Sequence, residues 1–156
     1  MRNLVWKTSK MVDACYSCAQ TQNGVETIRE NIWAAPGWRV AHSFNASLAG
    51  WLVVVLGRHI ESPDEMTVAE AESLGPLLRD ASVALKQVTG CQKTYVIMLA
   101  EAEGFSHLHF HVVPRLDDLP PDRRGPNVFA YLRETPLDVD AQDRVARAIR
   151  GAWPAG

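Results

Sequence analysis

The sequence lacks a long apolar run and the apolar segment of a secretory signal. No apolar stretch approaches the roughly 20 residues that a membrane-spanning helix needs, and the longest, Leu52–Leu56, has the length of a strand. Residues 1–7 are too polar to begin a signal peptide. These absences predict a cytoplasmic protein that does not associate with membranes.

The chain also has little net charge and few cysteines. Its 156 residues carry a formal net charge of −2 and no long basic run, so binding to a nucleic acid polymer is not expected. Three cysteines in the predicted compartment argue against a disulfide framework. Two of them, Cys15 and Cys18, have the spacing of a pair of metal ligands instead. The chain length fits a single domain.

Residue patterns predict five strands: Ile28–Ala34, Trp38–Phe44, Trp51–Leu56, Thr94–Leu99 and Leu108–Val113, the last ended by Pro114. Before them, residues 1–29 show no regular pattern apart from the cysteine pair. The β-branched third strand is expected to be buried on both faces.

One long helix is predicted between the third and fourth strands. Thr67–Glu70 is a capping box, and apolar residues then recur every three or four positions until the helix stops at Gly90. Gly75–Pro76 should kink this helix or separate its first turn. With one or two helical turns at Val128–Arg133 and a terminal helix at Asp140–Trp153, the pattern predicts an α+β fold, an antiparallel sheet with one main helix packed on it.

Three of the five histidines alternate with apolar residues in His107-Leu108-His109-Phe110-His111. On a strand they would share one face, with Leu108 and Phe110 directed into the core. An isolated histidine is usually a satisfied polar residue, but this strict alternation favours a functional site. A neutral imidazole can attack phosphorus near neutral pH, because its ordinary pKa is about 6.5.

Residues 107–113 resemble the signature of the histidine-triad (HIT) proteins, and Pro114-Arg115 follows as it often does there. The resemblance runs from about Cys15 to Arg115. It implies a single HIT-like domain over residues 1–156, with a core at about 15–115 and a C-terminal extension at 116–156. The implied fold is an antiparallel five-stranded sheet with one main helix packed on it and a C-terminal helix.

The resemblance also implies an activity. The expected protein is a nucleotidyl hydrolase or transferase that cleaves a nucleoside phosphoramidate or a related nucleotide conjugate. His109 would be the nucleophile and form a covalent nucleotidyl-histidine intermediate, and His111 would bond the phosphate oxygens. A homodimer is expected as well, since it is common in the family.

A structural zinc site is implied by the zinc-containing members of the family. There, a histidine corresponding to His59 and the first triad histidine complete a site with two cysteines, which gives Cys15, Cys18, His59 and His107 here. Such a zinc would pin the N-terminal segment to the sheet. A redox pair or a chance pair is the alternative interpretation of Cys15 and Cys18.

Several positions depart from the family pattern. Gly50-Trp51 stands where many members have glycine and histidine. Because its indole nitrogen only donates, the tryptophan cannot act as that histidine does, and it is expected to pack in the core or in a pocket wall. The acidic loop with Glu101 and Glu103 should repel a polyphosphate leaving group and favour a neutral or cationic one. Asn45 could hold a ribose hydroxyl, although a turn is the preferred interpretation, and Ser106 could assist the leaving group.

Two alternatives stay open. The site could have drifted into a nucleotide-binding or zinc-stabilised interaction module without catalysis, as the departures suggest. Alternatively, His107 and His109 could hold a catalytic metal, although the cysteine pair offers zinc a better set of ligands.

Overall fold

The computed structural model describes residues 14–23 and 26–155. The elements in chain order are helix α1 (Tyr16–Gln22), strands β1 (Trp33–Ala35), β2 (Trp38–His42) and β3 (Leu52–Leu56), helix α2 (Val68–Thr89), strands β4 (Lys93–Ile97) and β5 (His109–Arg115), and helix α3 (Val139–Gly151). Short 3-10 helices lie at Pro63–Glu65, Pro121–Arg123 and Gly125–Leu132.

The five strands form one antiparallel sheet in the order β1-β2-β3-β5-β4. Its two faces differ because side chains alternate along each strand. On one face, Leu52, Val54 and Leu56 of β3 pack with Leu85 of α2 and Ile149 of α3 in the main core. This arrangement confirms the predicted α+β fold. The opposite face of the sheet is not covered by helices α2 and α3.

That opposite face carries His109 and His111. Val55 pairs with His109 and Val53 pairs with His111, so each histidine lies beside a valine of the neighbouring strand. A smaller apolar cluster that includes Trp51 and Val128 covers part of this face. The remainder of the face borders a cavity.

Helix α2 begins and ends where the sequence predicts. Thr67 accepts a hydrogen bond from the Glu70 amide, the Glu70 carboxylate reaches back to the Thr67 amide, and Gly90 adopts a left-handed conformation at the C-terminus. The helix is continuous across Pro76, so the predicted separation of a first turn is wrong. Glu72 and Pro76 are exposed, and water can solvate the carbonyl that loses its partner.

Three other predictions need correction. The strand predicted at Ile28–Ala34 is only β1, since residues 28–30 form a turn. Strand β5 does not end at Pro114 but continues to Arg115. Its pairing with β3 stops at Val112, so the missing proline N–H removes no bond on that side.

The third correction is helix α1, because the pattern of residues 1–29 predicts no helix. The Cys15 sulfur accepts a hydrogen bond from the Cys18 amide and caps the helix at its start. Residues 1–13, which the same prediction covers, lie outside the described residues. No helix in the described part of the chain is long and apolar enough to cross a membrane.

Candidate functional site

A cluster of two thiols and two imidazoles joins helix α1 to the sheet. The ligand atoms of Cys15, Cys18, His59 and His107 all lie within 4.8 Å of one another. Nδ1 of His107 is 3.5 Å from the Cys15 sulfur and 3.1 Å from Nδ1 of His59. The Cys18 sulfur is 3.3 Å from Nδ1 of His59. The four residues that the resemblance implies as ligands are therefore together in space.

The donor set of this cluster fits a tetrahedral metal ion. Bond lengths of about 2.3 Å to sulfur and about 2.0 Å to nitrogen put neighbouring ligand atoms roughly 3.3–3.8 Å apart, close to the separations observed. Nε2 of His107 donates to the Leu56 carbonyl oxygen at 2.5 Å, which leaves the lone pair of Nδ1 directed at the cluster. Burial lowers the pKa of His107 to about 4, so this nitrogen stays unprotonated at neutral pH.

His109 is buried, and one of its nitrogens is already engaged. Nδ1 lies 2.7 Å from the backbone carbonyl oxygen of His107, which can only accept, so Nδ1 carries the proton. Nε2 therefore holds the free lone pair. Burial lowers the pKa of His109 from its ordinary value, and the bond to the His107 carbonyl partly offsets this effect. The ring is neutral at pH 7 and can act as a nucleophile.

His111 has a partner that the sequence did not reveal. The indole Nε1 of Trp51 donates to Nδ1 of His111 at 3.0 Å. Burial, and to a smaller extent the nearby His109, lower the pKa of His111 to about 3. Trp51 is fully buried, which confirms that it packs in the core, and its ring also meets Phe129 edge to face.

His109 and His111 both line one cavity of about 380 Å³. Arg39, Val55 and His109 lie in one row across strands β2, β3 and β5, because Arg39 pairs with Val55 and Val55 pairs with His109. Strands about 4.8 Å apart put Arg39 roughly 10 Å from His109 across this row. The cavity therefore extends well beyond the space that a single phosphoryl group occupies.

A buried polar network lies at the Arg39 end of the cavity. The Glu30 carboxylate accepts a hydrogen bond from the Tyr16 hydroxyl at 2.7 Å and forms an ion pair with Arg39 at 3.2 Å. Arg39 also donates to the Glu30 carbonyl oxygen, while its buried Nε has no partner among the described residues. Burial and the neighbouring Glu30 raise the pKa of Tyr16, so the phenol stays protonated. Sequence patterns gave no signal for this network.

The other predicted site residues have different positions. Asn45 lies in a turn, as preferred, and also lines the cavity, with its side-chain oxygen accepting from Ser43 at 2.8 Å. Glu101 lines the cavity. The Ser106 hydroxyl is directed to the Glu61 carboxylate at 3.4 Å, and Ser106 is not among the residues that line the cavity.

Comparison with known proteins gives matches at the level of structure. No protein-family model matches the sequence, and no curated protein gives a significant match. A Zn-bound histidine-triad family protein from Mycobacterium smegmatis has a TM-score of 0.67 and 16% identity, over 90% of this chain and 95% of that one. A hypothetical histidine-triad nucleotide-binding protein from Sulfolobus tokodaii has a TM-score of 0.69 and 14% identity, over 88% and 91%.

A uridylyltransferase is similar to this chain over a smaller part of its own length. It has a TM-score of 0.60 and 21% identity, over 88% of this chain and 44% of that chain. These similarities define the class of fold: the chain has the histidine-triad fold, as the resemblance of residues 107–113 predicts.

Proposed function

We propose that the protein is a histidine-triad nucleotidyl hydrolase or transferase that attacks phosphorus through Nε2 of His109. The observation that carries this proposal is the bond from Nδ1 of His109 to the His107 carbonyl, which leaves an unprotonated Nε2 beside a cavity. The length of this cavity suits a nucleotide rather than free phosphate. The names of the similar nucleotide-binding protein and uridylyltransferase agree with this substrate class.

The reaction has two steps. In the first, the Nε2 lone pair of His109 forms a bond to phosphorus, and the leaving amine departs with the electron pair of the broken P–N bond and takes a proton from water. The phosphorylated imidazole keeps its Nδ1 proton, and the His107 carbonyl stabilises the resulting positive charge. In the second step, a water oxygen bonds to phosphorus and loses a proton to solvent, while the P–Nε2 bond breaks and its electron pair returns to Nε2 of His109.

His111 would assist as a hydrogen-bond donor. Because Nδ1 of His111 accepts from Trp51, the proton of the neutral ring is on Nε2. A neutral donor beside the attacked phosphorus would stabilise the charge on the phosphate oxygens without protonating the nucleophilic Nε2 of His109. Asn45, which lines the same cavity, is the candidate for contact with the ribose.

The leaving group is proposed to be neutral or cationic, such as an amine or a sugar. The Glu101 carboxylate lines the cavity and would repel a polyphosphate. Glu101→Gln should raise activity on a dinucleoside polyphosphate relative to a phosphoramidate. Glu103→Gln is the matched control, since Glu103 is a glutamate of the same loop but does not belong to the cavity lining.

Zinc is the proposed occupant of the cluster of Cys15, Cys18, His59 and His107. Its chemistry there would be structural, because four protein ligands leave no position open for water. The Zn-bound protein of the same fold agrees with this choice of metal. The alternative of a catalytic metal on His107 and His109 lacks support, since Nδ1 of His109 is bound to a carbonyl and His109 is not part of the cluster.

The test is hydrolysis of a panel of nucleoside 5′-phosphoramidates with the four common bases. We expect turnover by the wild type and a loss of about 10³-fold or more in His109→Gln. Cys91→Ala, a change at a buried cysteine outside the site, should retain activity. Nucleotide binding without turnover on the whole panel would instead favour the non-catalytic binding module. The expected cytoplasmic location and the homodimer remain predictions.

A further inference from the structure

Trp51 contacts the triad through a hydrogen bond that has only one possible direction. Its indole N–H can donate but not accept, and it lies 3.0 Å from Nδ1 of His111. Nδ1 of His111 must therefore present its lone pair, and the proton of the neutral imidazole must sit on Nε2. Most histidine tautomers have to be assigned by inference, but the chemistry of this partner assigns it directly.

We propose that Trp51 is a positioning residue that holds His111 as a permanent neutral donor, with its Nε2–H available to a phosphate oxygen. This inference rests on the proposed function. A cationic His111 would direct a second N–H at the indole N–H, so the same contact that fixes the tautomer also disfavours the charged ring. His111 thus acts as a hydrogen-bond donor to the phosphate and not as a general acid.

Packing fixes the position of the Trp51 side chain beside His111. The ring is fully buried, and Trp51 and His111 both meet Phe129 edge to face, at centroid distances of 5.6 Å and 5.4 Å. Since Phe129 contacts both rings, the spacing between indole and imidazole is fixed by packing as well as by the hydrogen bond.

The backbone before Trp51 is fixed too. The Gly50 amide donates to Nε2 of the buried His42 at 3.1 Å. Gly50 has a φ of +86°, and a Cβ there would lie only 3.1 Å from the Leu85 side chain. A side chain at this position would be strained by the positive φ, so glycine suits the turn that leads into Trp51.

The direct test is ¹⁵N NMR of the histidine rings, in which protonated and unprotonated nitrogens give separate signals. The His111 signals are assigned by comparison with His111→Gln. In the wild type we expect protonated Nε2 and unprotonated Nδ1. In Trp51→Phe, which keeps an aromatic ring but lacks the donor, we expect both tautomers or a protonated Nδ1. A wild-type ring with protonated Nδ1, or an unchanged tautomer in Trp51→Phe, would overturn the proposal.

Kinetics and ligand binding supply the second readout. Trp51→Phe should lower kcat on a phosphoramidate and weaken AMP binding, each by about tenfold, the scale of one lost hydrogen bond to a charged group. Val128→Ala is the packing control, because Val128 lies in the same apolar cluster but outside the cavity lining. Equal losses in both variants would mean that packing alone matters, and would overturn the proposal.

The outcomes for the two proposals are separable. A wild type that turns over no nucleotide would reject the proposed reaction, whereas the tautomer spectrum and the AMP titration would still decide the role of Trp51. If Trp51→Phe fails to fold, the wild-type spectrum decides by itself, since a protonated Nδ1 on His111 contradicts the assignment.

Discussion

Nδ1 of His109 donates a hydrogen bond to the backbone carbonyl oxygen of His107, 2.7 Å away. The side chain of His107 belongs to the Cys2His2 cluster, so one residue contributes both to the candidate metal site and to the orientation of the proposed nucleophile. His107 in the cluster and His109, the proposed nucleophile, are only two positions apart in the chain.

The first prediction concerns metal content. Cys18→Ser should remove about one equivalent of zinc per chain and destabilise the fold by several kcal/mol, because the cluster joins helix α1 to the sheet. Native mass spectrometry and thermal unfolding measure the two effects. Cys91→Ala, which changes a buried cysteine outside the cluster, should keep its metal. Equal metal content in the two variants would contradict the assignment.

The second prediction concerns the Glu30–Arg39 ion pair. Both side chains are only 11% exposed, so Glu30→Ala leaves a buried cation without its partner and should cost about 3–5 kcal/mol in the free energy of unfolding. Asp80→Ala, which breaks the more exposed pair with Arg79, should cost at most about 1 kcal/mol. Urea unfolding compares the two variants, and similar losses in the free energy of unfolding would contradict a larger contribution from the buried pair.

The third prediction concerns acid stability. The pKa of His111 is about 3 in the folded chain but near 6.5 when unfolded. Between these values the unfolded chain binds more protons at this position, so the free energy of unfolding falls as pH decreases, by up to about 1.4 kcal/mol per unit. Urea unfolding between pH 7 and pH 5 should therefore show a shallower dependence for His111→Gln. If the free energy of unfolding fell equally with pH in both proteins, the lowered pKa of His111 would be contradicted.

Local patterns in the sequence predict the sheet, the main helix and the triad strand. The alternation at residues 107–111 predicts a strand with two distinct faces, and β5 forms from His109 onward, with His107 just before it. The capping box at Thr67 fixes where helix α2 begins. These features depend on residues close together in the chain, and their physical signal is visible without the fold. The expected strand beginning at Ile28 fails because residues 28–30 form a turn, and a β-branched residue such as Ile28 is compatible with a turn as well as with a strand.

Contacts between distant residues could not be predicted in this way. The bond between Trp51 and His111 joins residues 60 positions apart, and nothing in the local pattern around Trp51 indicates a donor to the triad. The network of Tyr16, Glu30 and Arg39 likewise depends on where helix α1 lies. Helix α1 has only seven residues and no apolar periodicity, and a cysteine sulfur caps it. Such a helix is held by its tertiary surroundings rather than by its own propensity.

The fourth prediction tests the central claim, which is that Nε2 of His109 forms the covalent bond to phosphorus. The protein is mixed with a nucleoside 5′-phosphoramidate, quenched rapidly under alkaline conditions and digested, and the peptides are analysed by mass spectrometry. We predict a nucleotidyl adduct on His109 in the wild type and none in His109→Gln. An adduct on another residue, or turnover in His109→Gln at the wild-type rate, would contradict the account.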